Sequence, residues 1–449
     1  MAALQSQTPS VPQFATLDEW LDYIGRQHTA EIVMGLNRVR QVWQRMARDG
    51  KPLQAPVNII VGGTNGKGSS CAMLEAILDI AGFKTGFLSS PHLLRYNERV
   101  RLSRQDASDE LLMASFAAVE AARITPEVVP LTYFEYSTLS ALWIFAGQNL
   151  DVAILEVGLG GRLDAINIID ADVSMVVSID LDHQQYLGDT REKIGLEKAH
   201  IYRPDCVAIF ADNNPPVSLV EYAESINAKL TMLGRDYQYQ RMDSQWQFTG
   251  KIAGREVARH SLPIPALRGV YQLKNASGVI AALAALQDKL PVSIGHIKRG
   301  LLEVEWPGRM QVLPGRPSVV LDVAHNPHAA RALEDALGTM GFYENTYAVF
   351  GMLKDKDIDA VIQTIKGRID FWFIAGLASE RGASASLLAE KLDAQGLQGK
   401  YSSYTRIAEA YAAARERAGE NDRILVFGSF YTVADVMTVL KPYRKLDRA

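Results

Sequence analysis

The sequence predicts an α/β fold: a mostly parallel, P-loop-type sheet flanked by helices, followed by a smaller Rossmann-like α/β domain at the C-terminal end. Three observations predict it. Short apolar runs of strand length alternate with stretches of helical periodicity, the pattern of a parallel sheet covered on both faces. One such run, Val57-Asn58-Ile59-Ile60-Val61, ends in a glycine-rich turn that opens a helix. A second alternating series begins after Trp306-Pro307-Gly308. At 449 residues the chain is too long for one ordinary core. Residues 1–306 are therefore read as the first domain and 307–449 as the second.

The elements follow in order. Leu17 to Ala47 reads as two amphipathic helical stretches. Val57 to Val61 is the first buried strand, and Ser69 to Ala81 the helix after it. Gly86 to Leu88 is a second strand, Tyr136 to Gln148 a helix, Val152 to Leu155 a third strand and Val173 to Ile179 a fourth. Asp236 to His260 breaks the pattern. Its polar and aromatic residues alternate, which predicts a small antiparallel excursion. Ser318 to Asp322, Ala348 to Phe350, Phe371 to Ile374 and Ile424 to Phe427 are the strands of the second series. Scattered aromatics such as Trp143 and Trp306 read as core.

Composition excludes several classes. With 48% apolar and 22% charged residues the chain is an ordinary globular protein. A net charge of −4 gives no electrostatic basis for binding nucleic acid. The longest apolar stretch, Val279 to Leu286, is far short of a membrane span. The segment MAALQSQTPSVPQFATLDEW has neither a basic start nor an apolar core, so no secretory signal is expected. Cys71 and Cys206 lie in no CxxC or metal-ligand spacing, which fits a reducing cytoplasm.

The sharpest local feature is Gly62-Gly63-Thr64-Asn65-Gly66-Lys67-Gly68-Ser69-Ser70. Glycines let the backbone curl so that several N–H groups point at one anion, and the helix N-terminus adds partial positive charge. Lys67 then reaches the outer phosphates of a nucleotide. The common P-loop spacing would want glycine at Val61, and Gly68 intervenes before the serines. The plainer alternative is a glycine-rich turn with an exposed lysine.

The spelling Gly63-Thr64-Asn65-Gly66-Lys67-Gly68-Ser69 resembles the ATP loop of the Mur ligase superfamily, and more closely that of the folylpolyglutamate synthases. Further landmarks stand in family order. They are Ser89-Ser90-Pro91-His92-Leu93, Asn97-Glu98-Arg99-Val100, and Leu131-Thr132-Tyr133-Phe134-Glu135-Tyr136. Leu155-Glu156-Val157-Gly158-Leu159-Gly160-Gly161-Arg162-Leu163-Asp164-Ala165 is long and specific. Asp182-His183, Glu197-Lys198-Ala199, Pro307-Gly308-Arg309, Asp322-Val323-Ala324-His325-Asn326-Pro327-His328 and Gly428-Ser429-Phe430 complete the set. The chain departs from the family at four places. The His28 to Leu36 segment lacks the usual aspartate near Val33, Ile166 and Gln184 replace threonines, and His200 replaces a glycine where it would crowd Lys198.

The resemblance implies an ATP-dependent ligase that adds L-glutamate to dihydropteroate and to reduced folates. The acid is activated as an acyl phosphate, so catalysis is positioning plus charge neutralisation. Lys67, Lys198 and His183 are the implied catalytic residues. Gly63, Thr64, Asn65, Gly66, Lys67, Gly68, Ser69, Asn275, Arg309 and Asp322 would bind ATP. Ser90, Glu156, His183 and Lys198, the last as a carbamate, would hold Mg²⁺, expected as a pair of ions. Thr132, Tyr133, Phe134, Glu135, Leu163, Asp164 and Ala165 would face the pteridine, and His325 would steer glutamate. Aromatics stack on flat rings and carboxylates accept ring N–H donors. The second domain would close over ATP and glutamate, and the protein would act as a cytoplasmic monomer without nucleic-acid or membrane partners. Each residue also has a plainer role: strand-end carboxylate, helix cap, turn serine, core aromatic. Two other readings compete. One is a cell-wall Mur ligase, separated by Tyr133-Phe134-Glu135 and the Gly-Ser after Lys67. The other is a P-loop regulatory or motor ATPase, which would hydrolyse ATP without a pterin acid.

Overall fold

The computed structural model describes residues 10–28, 33–46 and 55–440. They form two compact units. The first is Met1–Ser90, Asn97–Pro263 and Ala276–Leu302, and the second is Pro91–Tyr96, Ile264–Asn275 and Glu303–Ala449.

The first unit is built on strands β1 (Val57–Gly62), β2 (Thr85–Leu88), β3 (Val100–Leu102), β4 (Gln105–Asp106), β5 (Val152–Glu156), β6 (Val173–Val176), β7 (Val207–Phe210) and β8 (Lys229–Met232). They make one sheet in the order β4-β3-β2-β5-β1-β6-β7-β8. From β2 to β8 all neighbours are parallel. Strands β1, β5, β6 and β7 are buried along their whole length, which is why they read as unbroken apolar runs. The helix after β1, Lys67–Ile80, is buried from Gly68 to Leu78.

The expected strand over Val173 to Ile179 is shorter than the apolar run, ending at Val176. The reason is Ser178, whose backbone and hydroxyl turn to the loop after β1. Strands β3 and β4 carry no periodicity signal because they span 3 and 2 residues. The polar-aromatic excursion is a three-stranded antiparallel sheet of β9 (Tyr237–Arg241), β10 (Gln245–Ile252) and β11 (Arg255–Pro263), in the order β11-β10-β9. Tyr237, Trp246 and Phe248 are its buried face. Trp143 and Trp306 are only half-buried, whereas Trp20, Trp246 and Trp372 lie in the interior. Among the described residues no helix is long and apolar enough to cross a membrane.

The second unit has strands β12 (Gln311–Leu313), β13 (Ser318–Leu321), β14 (Thr346–Phe350), β15 (Phe371–Ala375), β16 (Tyr401–Tyr404) and β17 (Arg423–Phe427), in the order β12-β13-β17-β14-β15-β16. Only β12 pairs antiparallel. Alternate residues feed two cores on opposite faces. Val320, Phe350, Trp372 and Leu425 lie in one, and Leu321, Val349, Phe373 and Val426 in the other.

Candidate active site

Four neighbouring strands of the first unit, β2, β5, β1 and β6, run parallel, so their carboxyl ends lie along one crest. Open α/β sheets bind ligands outside that crest. Ser90 follows β2, Glu156 ends β5, Lys67 follows β1 and His183 follows β6. Register places Glu156 opposite Val61 and Gly62 opposite Val176. Residues far apart in sequence thus leave the sheet side by side.

The loop after β1 is held from β6. Thr64 N donates to Ser178 O at 2.8 Å, and the Thr64 hydroxyl donates to Asp180 O and accepts from Asp180 N, both at 3.1 Å. Asn65 N donates to the Ser178 hydroxyl at 3.0 Å, which donates back to Asn65 O at 2.9 Å. Gly63 is required here. Its φ is +143°, and a Cβ would lie 2.5 Å from Val177 Cγ2. Gly66, at φ 92°, is the N-cap of helix Lys67–Ile80 and makes no side-chain cap bond. An uncapped helix N-terminus beside buried Gly68 and Ser69 suits a phosphate. Lys67 Nζ curls back to Gly63 O at 3.2 Å and Thr64 O at 3.4 Å. Cys71, further along this helix, is packing: burial and the Glu156 charge push its thiol well up.

Lys198 reaches the same carbonyl. It is 4% exposed, and its Nζ donates to Gly63 O at 3.1 Å. Burial, reinforced by the Lys67 charge, lowers its ammonium to about 7, against the opposing pull of Asp182 and Asp164. Helix Arg191–Ala199 lies so close to the Gly158–Gly161 turn that a Cβ on Gly161 would sit 2.6 Å from Glu197 O. Glu197 turns to Arg162, 2.7 Å away, and leaves Lys198 alone. The expected crowding by His200 does not occur. As the C-cap of the helix, His200 bonds Leu196 O through Nδ1 at 2.7 Å and stacks on Tyr222 at 4.1 Å.

His183 sits at φ 49°, a left-handed conformation uncommon outside glycine and enriched at functional sites. Its N–H donates to Asp182 Oδ1 at 2.8 Å, and its ring is 30% exposed. Glu156 is 5% exposed and Ser90 half-buried. Among the described residues no three His, Cys, Asp or Glu side chains form a metal cage. A serine hydroxyl and a carboxylate instead fit a hard cation that keeps waters and phosphate oxygens in its shell.

The segments expected at the pteridine converge as well. Thr132 and Glu135 form a capping box on helix Tyr133–Ala146, with Thr132 N to Glu135 Oε2 at 2.8 Å and Glu135 N to Thr132 Oγ1 at 3.3 Å. The Arg99 guanidinium lies 5.4 Å from the Tyr133 ring centre. Phe134 rests on Gly158, where a Cβ would come within 2.7 Å of its ring. Asp164 is inward and buried. Its oxygens accept from Leu159 N at 2.8 Å and Ile166 N at 3.0 Å. Burial pushes its carboxyl up to about 6 against those bonds. Leu163 is half-buried and Ala165 buried beside it. Residues 29–32 of the His28–Leu36 segment lie outside the described residues.

In the second unit Asp322 follows β13 and accepts from Met310 N and Ala324 N, both at 2.8 Å. Burial raises its carboxyl despite those donors and Arg309. Arg309 lies 4.9 Å over the Phe430 ring, and His325, whose Nδ1 donates to Val323 O at 2.8 Å, lies 6.1 Å from the same ring. Asn275 is buried and donates to Gln272 Oε1 at 3.0 Å. Sequence reasoning missed Ser178, Arg38 and Tyr271. Tyr271 is held well above the usual tyrosine range by burial and then by the Asp322 charge, so it shares that neighbourhood. No local motif marks any of the three.

The family of Mur ligase glutamate ligase domains matches residues 308–430. The dihydrofolate synthase/folylpolyglutamate synthase of Escherichia coli K12 is 43% identical over 434 residues, 96% of this chain and 98% of that protein. Its Haemophilus influenzae counterpart is 39% identical over 95% of this chain and 98% of that protein. Among solved structures, E. coli FolC in complex with DHPP and ADP superposes with a TM-score of 0.88 at 43% identity, covering 96% of this chain and 99% of that one. A bifunctional folylpolyglutamate synthase/dihydrofolate synthase with Mn, AMPPNP and L-glutamate bound superposes at 0.85 and 41% identity, over 97% and 100% of the two chains. With crest, glycine loop and paired lysines in place, this chain belongs to the dihydrofolate synthase/folylpolyglutamate synthase family and is an ATP-dependent ligase that forms carbon–nitrogen bonds with glutamate.

Proposed function

We propose that the enzyme joins L-glutamate to dihydropteroate, giving dihydrofolate, and to folylglutamates, giving folylpolyglutamates. A substrate carboxylate oxygen attacks the γ-phosphorus of ATP, and the bond to the bridging oxygen breaks to release ADP. The neutral glutamate amine then attacks the acyl carbon. Phosphate leaves with the C–O electron pair, and the amine proton goes to solvent. No enzyme nucleophile is needed, so the residues orient the reactants and neutralise charge. The observation that carries this reading is the meeting of the Lys67 and Lys198 amino groups on the Gly63 carbonyl at a helix N-terminus without a side-chain cap.

Lys67 is assigned to the transferring phosphoryl group, with Gly63 to Ser69 around it. Ser90, Glu156, His183 and Lys198 as its carbamate would hold Mg²⁺, which supplies further charge neutralisation at the phosphates. An ammonium lowered to about 7 supports the carbamate, because only the neutral amine attacks carbon dioxide; one proton is lost and an anion replaces a cation. Arg309, Asp322 and Asn275 are assigned to the nucleotide and His325 to glutamate, with residues 307–449 closing over both. Thr132 to Glu135 and Leu163 to Ala165 are assigned to the pteridine, within a first domain of residues 1–306. The enzyme would work as a cytoplasmic monomer. The test is phosphate release with dihydropteroate plus glutamate, and separately with a reduced folate plus glutamate. Release in both, dependent on both substrates, is expected. Release without a pterin acid would mean a simple ATPase, and silence with dihydropteroate alone would leave only chain extension.

A further inference from the structure

We infer that Arg38 is a positioning residue for the pterin substrate, a clasp that joins the Val33–Leu36 segment to the entry of helix Tyr133–Ala146. This inference rests on the pteridine assignment above. One guanidinium makes all the bonds. Arg38 Nη2 donates to Glu135 Oε1 and to Val33 O, each at 2.9 Å, and Nε donates to Glu135 Oε2 at 3.4 Å. A planar fork spans two acceptors in this way, whereas a lysine ammonium is a point charge. The Glu135 side chain is 5% exposed and also takes the Thr132 N–H, so Arg38 and the cap together fix where its carboxylate stands.

The segments so joined flank the proposed ring site. Met34 Cε lies 3.6 Å from where a Cβ on Gly160 would stand, and Phe134 lies on Gly158. Losing Arg38 strands a buried carboxylate at the cap that sets Tyr133 and Phe134, and frees the Val33 carbonyl. Docking of helix Asn37–Arg45 has a separate anchor. At its far end Arg45 Nη1 donates to Ala122 O at 3.2 Å and Glu127 O at 3.0 Å. Arg45 therefore serves as the control for a merely structural role.

The experiment measures KM for dihydropteroate, KM for ATP and kcat in Arg38→Gln, Arg38→Lys, Glu135→Gln and Arg45→Gln, with amide hydrogen exchange at Met34, Gly35 and Leu36 in the substrate-free enzymes. In Arg38→Gln the pterin KM should rise on the order of tenfold, the scale of a lost charge-assisted pair, with the ATP KM unchanged. Arg38→Lys should fall between. Glu135→Gln on top of Arg38→Gln should add little. Exchange at Met34 to Leu36 should quicken in the Arg38 variants and not in Arg45→Gln. An unchanged pterin KM, a pterin KM that rises no more than the ATP KM, or the same KM pattern in Arg45→Gln would overturn the inference. Should Arg38→Gln fail to fold, Arg38→Lys carries the same comparison. Wild-type enzyme inactive on every pterin acid would overturn the functional reading itself, while the exchange data would still report on the clasp.

Discussion

Both units end their parallel strands in a crest, yet they furnish it with different groups. In the first unit the strand end after β1 is a glycine loop with Lys67 and Lys198 turned onto one carbonyl. In the second unit the residue just past β13 is Asp322, buried and taking two backbone N–H donors. On the proposed reading the first crest would take the phosphates of ATP, and the second would accept hydrogen bonds from the nucleotide. The shared architecture teaches nothing about this difference, because it resides in a few side chains grafted on the strand ends.

The hardest test of the contrast is Lys67→Ala. Removing a preorganised cation from the phosphate side should lower kcat by roughly a hundredfold or more. Turnover kinetics on folded variant would check it, and near-normal kcat would take Lys67 out of the mechanism.

Lys198→Ala should come next, with activity down about ten- to a hundredfold and partly restored by short carboxylic acids. The pH sign follows from its lowered ammonium. Below about 7 the folded enzyme holds Lys198 as a cation, and above it as the neutral amine that takes up carbon dioxide. Activity at fixed total carbonate should therefore fall as pH drops through about 7. Intact-mass measurement of unmodified Lys198 in fully active enzyme would refute the carbamate.

On the second crest the effect should lie in binding. Arg309→Ala and Asp322→Asn should raise the ATP KM by about tenfold, the scale of a hydrogen bond to a charged group, and change kcat less. An unmoved ATP dependence in both would dissolve the comparison. Smallest is Gly158→Ala, whose methyl would meet the Phe134 ring at 2.7 Å. Overpacking there should cost about 1–3 kcal/mol in a denaturant titration. Unaltered stability would show that Phe134 is free to move.

Much of this was legible. The strands β1, β5, β14, β15 and β17 are buried on both faces, so their apolar runs announced them. The glycine loop was legible because positive φ and close approach to Val177 demand glycine. Ser178 was not, since the expected strand Val173 to Ile179 ran through it, and its role shows only once Asn65 and Thr64 are seen beside it. Arg38 lay unmarked within the amphipathic stretch Leu17 to Ala47, because its partner Glu135 is 97 residues away.

By itself the sequence determined the two α/β series, the glycine loop after β1, the antiparallel insert and the membership in a glutamate ligase family. These follow from local periodicity, from glycine's backbone freedom and from motif order, all of which are written along the chain. Only the tertiary structure decided that Lys67 and Lys198 share one carbonyl, that Glu197 turns to Arg162, that His200 stacks on Tyr222, and that Glu135 serves a cap and Arg38. Each of those depends on burial and on neighbours brought together by strand order. The pairing order β2-β5-β1-β6 arises when the sheet closes, and no residue carries it alone.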